Sequence, residues 1–480
     1  MDKELLLQTN VSPLPRRTFA VQLTEHKFIL MAVDGFLVLT TLLLGLRFGA
    51  QRSGWVFSLA LILDYSLWFI GLTALYFVLA TVNDAYKPKV AADPVASFVA
   101  LLKTVLQIFV LYMLVYALTP FFWLPRHFMG FFAVVSPFLL FGWRRLYSSA
   151  FAFPVFQRRT IIVGAGWAGQ SIVKTIKDFA PTYYEVVGFV DDDSAKQQTT
   201  IQNVPVIGST ADLPVLAPKK GVTDIVLAIN RNIKGEVLAH LLTCYEYGVR
   251  VSTMSDLYER LTDRVPVEHT GDNWFVVLPL DRSGQNLFYR LIKRILDIVI
   301  ALIGLICFGL LLPFLALLIK LDSPGPIFYR QKRLGRAGKV FELIKLRSMV
   351  VDAEADGAKW AEKYDSRVTR AGLFLRRTRL DELPQLLNVL TGEMSLIGPR
   401  PERPEFVAEL QQEIPFYRTR LTVKPGLTGW AQVNYDYGRS AGDALEKLRY
   451  DLYYIKHQSL QLDLVILLKT IGTILLLKGV

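Results

Sequence analysis

Apolar residues in this chain follow two rhythms. Up to Trp143 they gather into four long blocks, Phe28 to Leu46, Trp55 to Ala80, Thr104 to Leu124 and Phe128 to Trp143. Each approaches the ~20 residues a helix needs to cross a hydrocarbon core. From Arg158 the blocks shorten and alternate with helical periods. "RRTIIVGAGWAGQSIVKTI" reads as strand, glycine turn and helix, and "YEVVGFVDDD", "VTDIVLAI" and "VRVSTM" read as further strands of a small parallel sheet. A fifth apolar block, Ile298 to Ile319, is again long enough to span. The chain ends in "LQLDLVILLKTIGTILLLKGV", where Asp463, Lys469 and Lys478 interrupt an apolar run, as in a helix lying at a membrane interface.

This patterning predicts a transmembrane helical domain over residues 1–150, a Rossmann-like α/β domain over 155–275 and a third region over 285–480. Basic residues around the first four blocks alternate so as to keep the N-terminus and the exit on the cytoplasmic side. The polar first 27 residues show no cleaved signal peptide. Asp34 and Asp64 fall inside apolar blocks, where a carboxylate is costly, and read best as polar glue between helices. The fifth block has basic flanks on both sides, Lys293 and Arg294 before it and "YRQKRLGRAGK" after it. Pro313 removes a backbone hydrogen bond and crowds the preceding turn. The expectation is therefore a re-entrant helix–break–helix over 295–320, with a kinked full span as the alternative.

Composition narrows the class. Of 480 residues 52% are hydrophobic, and the formal charge is +12. Gln285 to Val480 holds 29 basic against 20 acidic residues, so this region carries most of the excess. Anionic headgroups and phosphorylated substrates suit such a surface. Nucleic acid does not, because no recognition motif accompanies the charge. The two cysteines, Cys244 and Cys307, form neither a disulfide framework nor a zinc signature.

Two motifs carry candidate chemistry. Gly164, Gly166 and Gly169 have the G-x-G-x-x-G spacing that lets a backbone approach a diphosphate, with Asp191 to Asp193 placed for a ribose. The same glycines also serve plain strand–helix packing, so a bound nucleotide is one reading of two. In "LRRTRLDELPQLLNVL", Asp381 and Glu382 follow three arginines and precede Pro384. Acids and a proline there suit a helix N-terminus, with Leu383, Leu386, Leu387 and Leu390 as its inward stripe. The alternative is a reaction centre.

Three stretches decide the matter: "SPGPIFYRQKRLGRAGKVFELIKLRSM", "DSRVTRAGLFLRRTRLDELPQLLNVLTGEMSLIGPRPERPEF" and "VKPGLTGWAQVNYDYG". Together they closely resemble the bacterial polyprenyl-phosphate hexose-1-phosphate transferases, or monotopic phosphoglycosyl transferases. The resemblance is dense over 285–480. It extends loosely over the four spans and the α/β domain, and implies a mostly α catalytic domain with a re-entrant helix. It implies transfer of a hexose 1-phosphate from a UDP-hexose to undecaprenyl phosphate, starting polysaccharide assembly. Asp381 would be the nucleophile that carries the phosphosugar, and Glu382 would hold Mg²⁺ or phosphate, with both carboxylates near the metal. Arg376 and Arg400 would bind phosphate and nucleotide; Arg333, Lys345 and Arg347 would form a basic cluster near the membrane face. Trp430 and Gln432 would lie near nucleotide or sugar, and Asp365, Arg367 and Thr369 would order the loop beneath. Glucose or galactose is the first expectation for the sugar, ahead of N-acetylated ones.

The resemblance also implies a homodimer among membrane lipids in the bacterial cytoplasmic membrane, with the catalytic and α/β domains facing the cytoplasm. One departure is Leu312 before Pro313, where relatives often have serine. Two alternatives remain. A membrane-bound sugar-nucleotide dehydratase would use a Tyr-x-x-x-Lys pair, for which Tyr289 and Lys293 have the spacing. A non-catalytic assembly scaffold would leave the carboxylates idle.

Overall fold

A computed structural model describes residues 23–118, 126–151, 156–229, 235–267, 287–351, 353, 365–435 and 440–475. Lys478, residues 1–22 and the end of the third apolar block, 119–124, lie outside the described residues. The chain divides into two compact units, Met1–Thr262 and Asp263–Val480.

In the first unit, three apolar blocks become helices long and apolar enough to cross a membrane: Leu23–Ser53, Pro94–Leu118 and the helix within Arg126–Phe151. The second block breaks at Tyr65 into Leu59–Asp64 and the 17-residue Ser66–Val82. Val38, Leu42, Leu101, Val105 and Ile108 fill the centre. Asp34 is fully buried among them. It accepts from Arg144 Nη2 at 2.6 Å and from the Tyr76 hydroxyl at 3.1 Å, so one carboxylate ties three helices together. Arg144 also donates to the Ala85 carbonyl at 3.3 Å. Asp64 is exposed, so of the two acids only Asp34 serves as glue.

The sheet of this unit is centred on β1 (Arg158–Val163), flanked in parallel by β2 (Tyr184–Val190) and β5 (Asp224–Leu227). With β3 (Thr200–Ile201), β4 (Val204–Gly208) and β6 (Arg250–Thr253) the order is β3-β4-β2-β1-β5-β6. Apolar clusters line both faces, as a parallel sheet requires. β3 pairs antiparallel with β4 through a turn at Gln202 and Asn203, whose φ values of 53° and 63° suit a two-residue hairpin. That hairpin is not among the expected strands, because no glycine marks its turn.

The second unit opens with a long helix, Leu287–Asp322, of 36 residues. It continues through Pro313 without interruption, so the expected helix–break–helix is replaced by one continuous α-helix. Proline forfeits one ladder bond, and the turns on either side are long enough to carry the helix past it. Next come an antiparallel hairpin, β7 (Phe328–Leu334) with β8 (Val340–Leu346), short helical segments, and the parallel pair β9 (Ser395–Ile397) and β10 (Gly426–Thr428). The last helix, Leu460–Leu475, turns Asp463 and Ile466 inward and leaves Leu460, Leu464, Ile471 and Ile474 exposed.

The long helix is held to this unit near both ends. Arg294 donates to the Val389 and Leu390 carbonyls at 2.7 and 2.8 Å, and Asp297 accepts from the Leu396 amide at 2.9 Å. At the far end Asp322 accepts from the Ala371 amide at 2.9 Å. Arg347 there donates to the Ser323 and Pro324 carbonyls at 2.7 and 2.8 Å.

The buried ion pair makes a testable demand. Arg144→Met leaves Asp34 buried and unpaired and should destabilise the bundle by about 3–5 kcal/mol, whereas Asp34→Leu combined with Arg144→Met should recover most of the loss. Thermal unfolding of the full chain in detergent compares the three proteins.

Candidate active site

The site is built from a helix that stops early. Thr369 caps helix Arg370–Thr378 by accepting from the Gly372 amide at 3.0 Å. The helix lies so close to the chain at Ser348 that a Cβ on Gly372 would stand 2.0 Å from the Ser348 carbonyl oxygen. This contact sets Arg376 Nε 3.0 Å from the Ser348 hydroxyl. Arg379 then turns left-handed at φ 56°, and Leu380–Gln385 follows as a 3₁₀ segment before helix Leu386–Thr391.

Asp381 and Glu382 therefore sit on a tight turn and cap no helix. The tighter winding also moves the inward face. Leu386, Asn388 and Val389 are buried while Leu387 is exposed, in contrast to the expected leucine stripe.

Both carboxylates are buried, and their surroundings differ. Glu382 meets Arg400 Nη2 at 2.6 Å, Lys345 Nζ at 3.7 Å and Arg379 Nη1 at 3.8 Å. Asp381 accepts no hydrogen bond among the described residues. Burial, then the neighbouring Glu382 charge, push Asp381 up to about 6 against the pull of Lys345, Arg376 and Arg400. Burial also acts upward on Glu382, but Arg400, Lys345 and Arg379 outweigh it and hold the group down at about 2. Burial lowers Lys345 to about 8, opposed by Glu382. One acid is thus saturated with cations, and its neighbour keeps its oxygens free.

Lys345 and Arg400 are fixed from behind. Asn388 accepts from the Ile344 amide at 3.3 Å and donates to the Glu342 carbonyl at 2.8 Å, pinning β8 just before Lys345. The Arg400 carbonyl accepts from Arg420 Nη2 at 3.2 Å, and Arg420 is anchored by buried Asp451 at 2.7 Å and by the Tyr417 hydroxyl at 2.7 Å. Arg333 stands beside the same loop, donating to the Pro401 carbonyl at 3.1 Å. Sequence reasoning missed Ser348, Arg379, Asn388, Arg420 and Asp451. Only Arg379 carried a signal, its place in the arginine run before Asp381.

The remaining candidates lie apart from the pair. Arg347 closes the end of the long helix, as described above. Trp430 is buried, donates to the Asp263 carbonyl at 3.1 Å and stacks on Tyr453. Gln432 donates to the Leu427 carbonyl at 3.1 Å. Arg367 pairs with Asp365 at 2.6 Å, ordering the loop before Thr369. Tyr289 and Lys293 both donate to Asp463, at 3.0 and 2.8 Å, so this pair joins the long helix to the last one.

In the α/β domain, Gly164 has φ 104°, and a Cβ on Gly169 would stand 2.0 Å from the Gly164 oxygen, while Gly166 faces open space. Asp191 accepts from the Ala165 amide at 2.7 Å, so a nucleotide at this turn would share that amide with an internal carboxylate.

Mg²⁺ takes oxygen ligands, commonly one or two carboxylates completed by substrate phosphates. Asp381 has free oxygens of that kind, whereas those of adjacent Glu382 are engaged by Arg400, Lys345 and Arg379. Among the described residues no group of three or more His, Cys, Asp or Glu converges into a closed cage.

A buried carboxylate pair faced by Lys345, Arg376, Arg379 and Arg400, on a unit with a long apolar helix, is a set of groups suited to phosphate chemistry. The chain belongs to the bacterial sugar transferase family, whose profile matches residues 288–476. A CoA-binding domain profile matches residues 81–254. A UDP-N-acetylgalactosamine-undecaprenyl-phosphate N-acetylgalactosaminephosphotransferase of Aeromonas hydrophila is 44% identical over 52% of this chain, and the match spans 59% of that relative's length. A putative undecaprenyl-phosphate N-acetylgalactosaminyl 1-phosphate transferase of Bacillus subtilis is 57% identical over 29% of this chain and 78% of its own. The UDP-glucose:undecaprenyl-phosphate glucose-1-phosphate transferase of Escherichia coli is 34% identical over 65% of this chain and 71% of its own.

The unequal pair can be titrated directly. In chelator, an aspartate carboxyl should titrate near 6 in ¹³C spectra of aspartate-labelled protein. Glu382→Gln removes the neighbouring negative charge and frees three cations, so that carboxyl should move to lower pH. An upward shift would contradict the assigned electrostatics.

Proposed function

We propose that this protein transfers a sugar 1-phosphate from a UDP-sugar to undecaprenyl phosphate, through a phosphosugar carried on Asp381. The observation that carries the reading is the contrast within the carboxylate pair. A nucleophile needs accessible lone pairs, and Asp381 accepts nothing. A structural acid is saturated, and Glu382 is held by Arg400 at 2.6 Å.

The steps follow from the chain's own groups. An Asp381 oxygen attacks the sugar-linked phosphorus, and the bond to the nucleoside phosphate breaks with its electron pair leaving on UMP. Arg400 and Arg376 stabilise charge gathering on the phosphoryl oxygens. An oxygen of the lipid phosphate then attacks the same phosphorus, the bond to Asp381 breaks, and the carboxylate is regenerated. Mg²⁺ would be held by the free oxygens of Asp381 together with substrate phosphates, and would neutralise diphosphate charge when bound. Lys345 keeps Glu382 anionic and adds positive charge near the phosphates.

Placement in the membrane follows the same reading. The long helix is roughly 54 Å in length, against a ~30 Å hydrocarbon core. A helix crossing that core would send its two ends to opposite faces, yet Arg294 and Asp322 bond elements of one compact unit. This supports a monotopic arrangement, with the long helix embedded from the cytoplasmic side of the inner membrane. Its exposed Leu302, Ile303, Ile306, Leu310 and Phe314 would face lipid. The helices of the first unit would then form the membrane bundle, Ser66–Val82 completing four spans. A homodimer in that membrane and a nucleotide at the glycine turn belong to the same proposal. The scaffold alternative gives Asp381 no reason to be buried and free of partners. The dehydratase alternative loses Tyr289 and Lys293 to Asp463.

Asp381→Asn should lower UMP release and sugar-phosphate transfer by at least about 1000-fold and abolish any labelled peptide containing position 381. UDP-N-acetylgalactosamine and UDP-glucose are the donors to compare, with labelled lipid product as the readout. Near-normal transfer by the variant would end the covalent mechanism. Full activity in chelator would remove the metal.

A further inference from the structure

One cation in "VKPGLTGWAQVNYDYG" takes no part in the transfer chemistry. Lys424, half-buried in the loop before β10, has no hydrogen-bond or ion-pair partner among the described residues. Its neighbours are themselves cationic. A Cβ built on Gly392 would lie 3.3 Å from Lys424 Nζ and 3.4 Å from Arg294 Nη2, so the two charges converge on the space that glycine leaves open. Gly392 also has φ 88°, a conformation that excludes most side chains. Burial, then Arg294 and Arg336, push the Lys424 ammonium below its usual range, with only Asp297 pulling upward among these neighbours. Asp297 is already engaged by the Leu396 amide at 2.9 Å and the Ser395 hydroxyl at 3.1 Å.

An ammonium partly out of water, converging with the Arg294 guanidinium on one space and paired with no carboxylate, is stabilised by an anion placed between them. The loop that holds it is fixed. The Ser395 amide donates to the Pro425 carbonyl at 2.9 Å, and the Gly426 amide to the Pro399 carbonyl at 2.9 Å. Arg294 is braced by the Val389 and Leu390 carbonyls. Arg336 comes from the turn between β7 and β8 and is exposed.

We propose that Lys424, Arg294 and Arg336 bind the phosphodiester of an anionic phospholipid headgroup, at a site separate from the carboxylate pair. Lipid is favoured as the source because Arg294 belongs to the long helix, next to exposed Ile295 and one turn from exposed Leu291. The assignment rests on that helix lying in the membrane, and its test does not depend on transfer activity.

The full chain is reconstituted in nanodiscs of phosphatidylcholine with a minor fraction of phosphatidylglycerol. It is then moved into detergent, and the retained lipids are counted by native mass spectrometry. Wild type should retain phosphatidylglycerol above its bilayer fraction. Lys424→Gln should lower that enrichment about fivefold, the effect of one surface cation on an anionic lipid. Arg336→Gln should lower it in the same direction, and Lys424→Arg should keep it. Lys424→Arg and Arg336→Gln leave the buried packing intact, so a folding defect in Lys424→Gln would not hide the result. Equal retention of both lipids by wild type, or unchanged enrichment in both glutamine variants, overturns the site. Displacement of the retained lipid by millimolar inorganic phosphate overturns its assignment to lipid.

Discussion

Two carboxylates set side by side out of water cannot both remain ionised unless cations face them, and the second unit is organised around that need. Lys345 arrives on a hairpin strand, Arg379 on a left-handed residue and Arg400 on a loop, and all three converge on Glu382. Several of these groups are braced by neighbours. Asn388 holds the strand, Ser348 holds Arg376, and the buried Arg420–Asp451 pair holds the carbonyl of Arg400. Because the cations are committed to Glu382 first, Asp381 stays without a hydrogen-bond partner among the described residues, and burial holds its carboxyl above the usual range.

The long helix obeys the opposite rule. Its charged groups Lys293, Arg294 and Asp297 find partners on the protein, and its exposed side is a row of leucines, isoleucines and phenylalanine. The last helix repeats the arrangement, with Asp463 inside and leucines outside. A soluble domain would reverse this polarity. The inversion explains how a region with a large positive excess also carries much of the chain's apolar surface.

The sequence is most legible where one residue's chemistry decides. Alternating apolar runs located β1, β2, β5 and β6, and the acid pair after three arginines marked the centre of the site. What stayed hidden depends on tertiary partners. Arg347 belongs to the same basic stretch as Lys345, yet it lies just past the end of β8 and closes the long helix at Ser323, 24 residues upstream. Asp451 lies 31 residues from Arg420, with no local pattern linking them. The shift from α to 3₁₀ winding at Leu380 moved the inward face off the leucine stripe, and Arg379 showed no glycine to announce a left-handed turn. Pro313 misled in the other direction, since it lies inside one uninterrupted helix, Leu287–Asp322.

The pairing of Asp34 with Arg144 also has a consequence for biosynthesis. The guanidinium lies 110 residues downstream of the acid. At a translation rate of roughly 5–20 residues per second, the first helix waits about 5–20 s before its counter-ion emerges from the ribosome. During that interval it must sit protonated, linger at the insertion machinery or borrow another partner, so assembly of the bundle is completed by its last helix rather than its first.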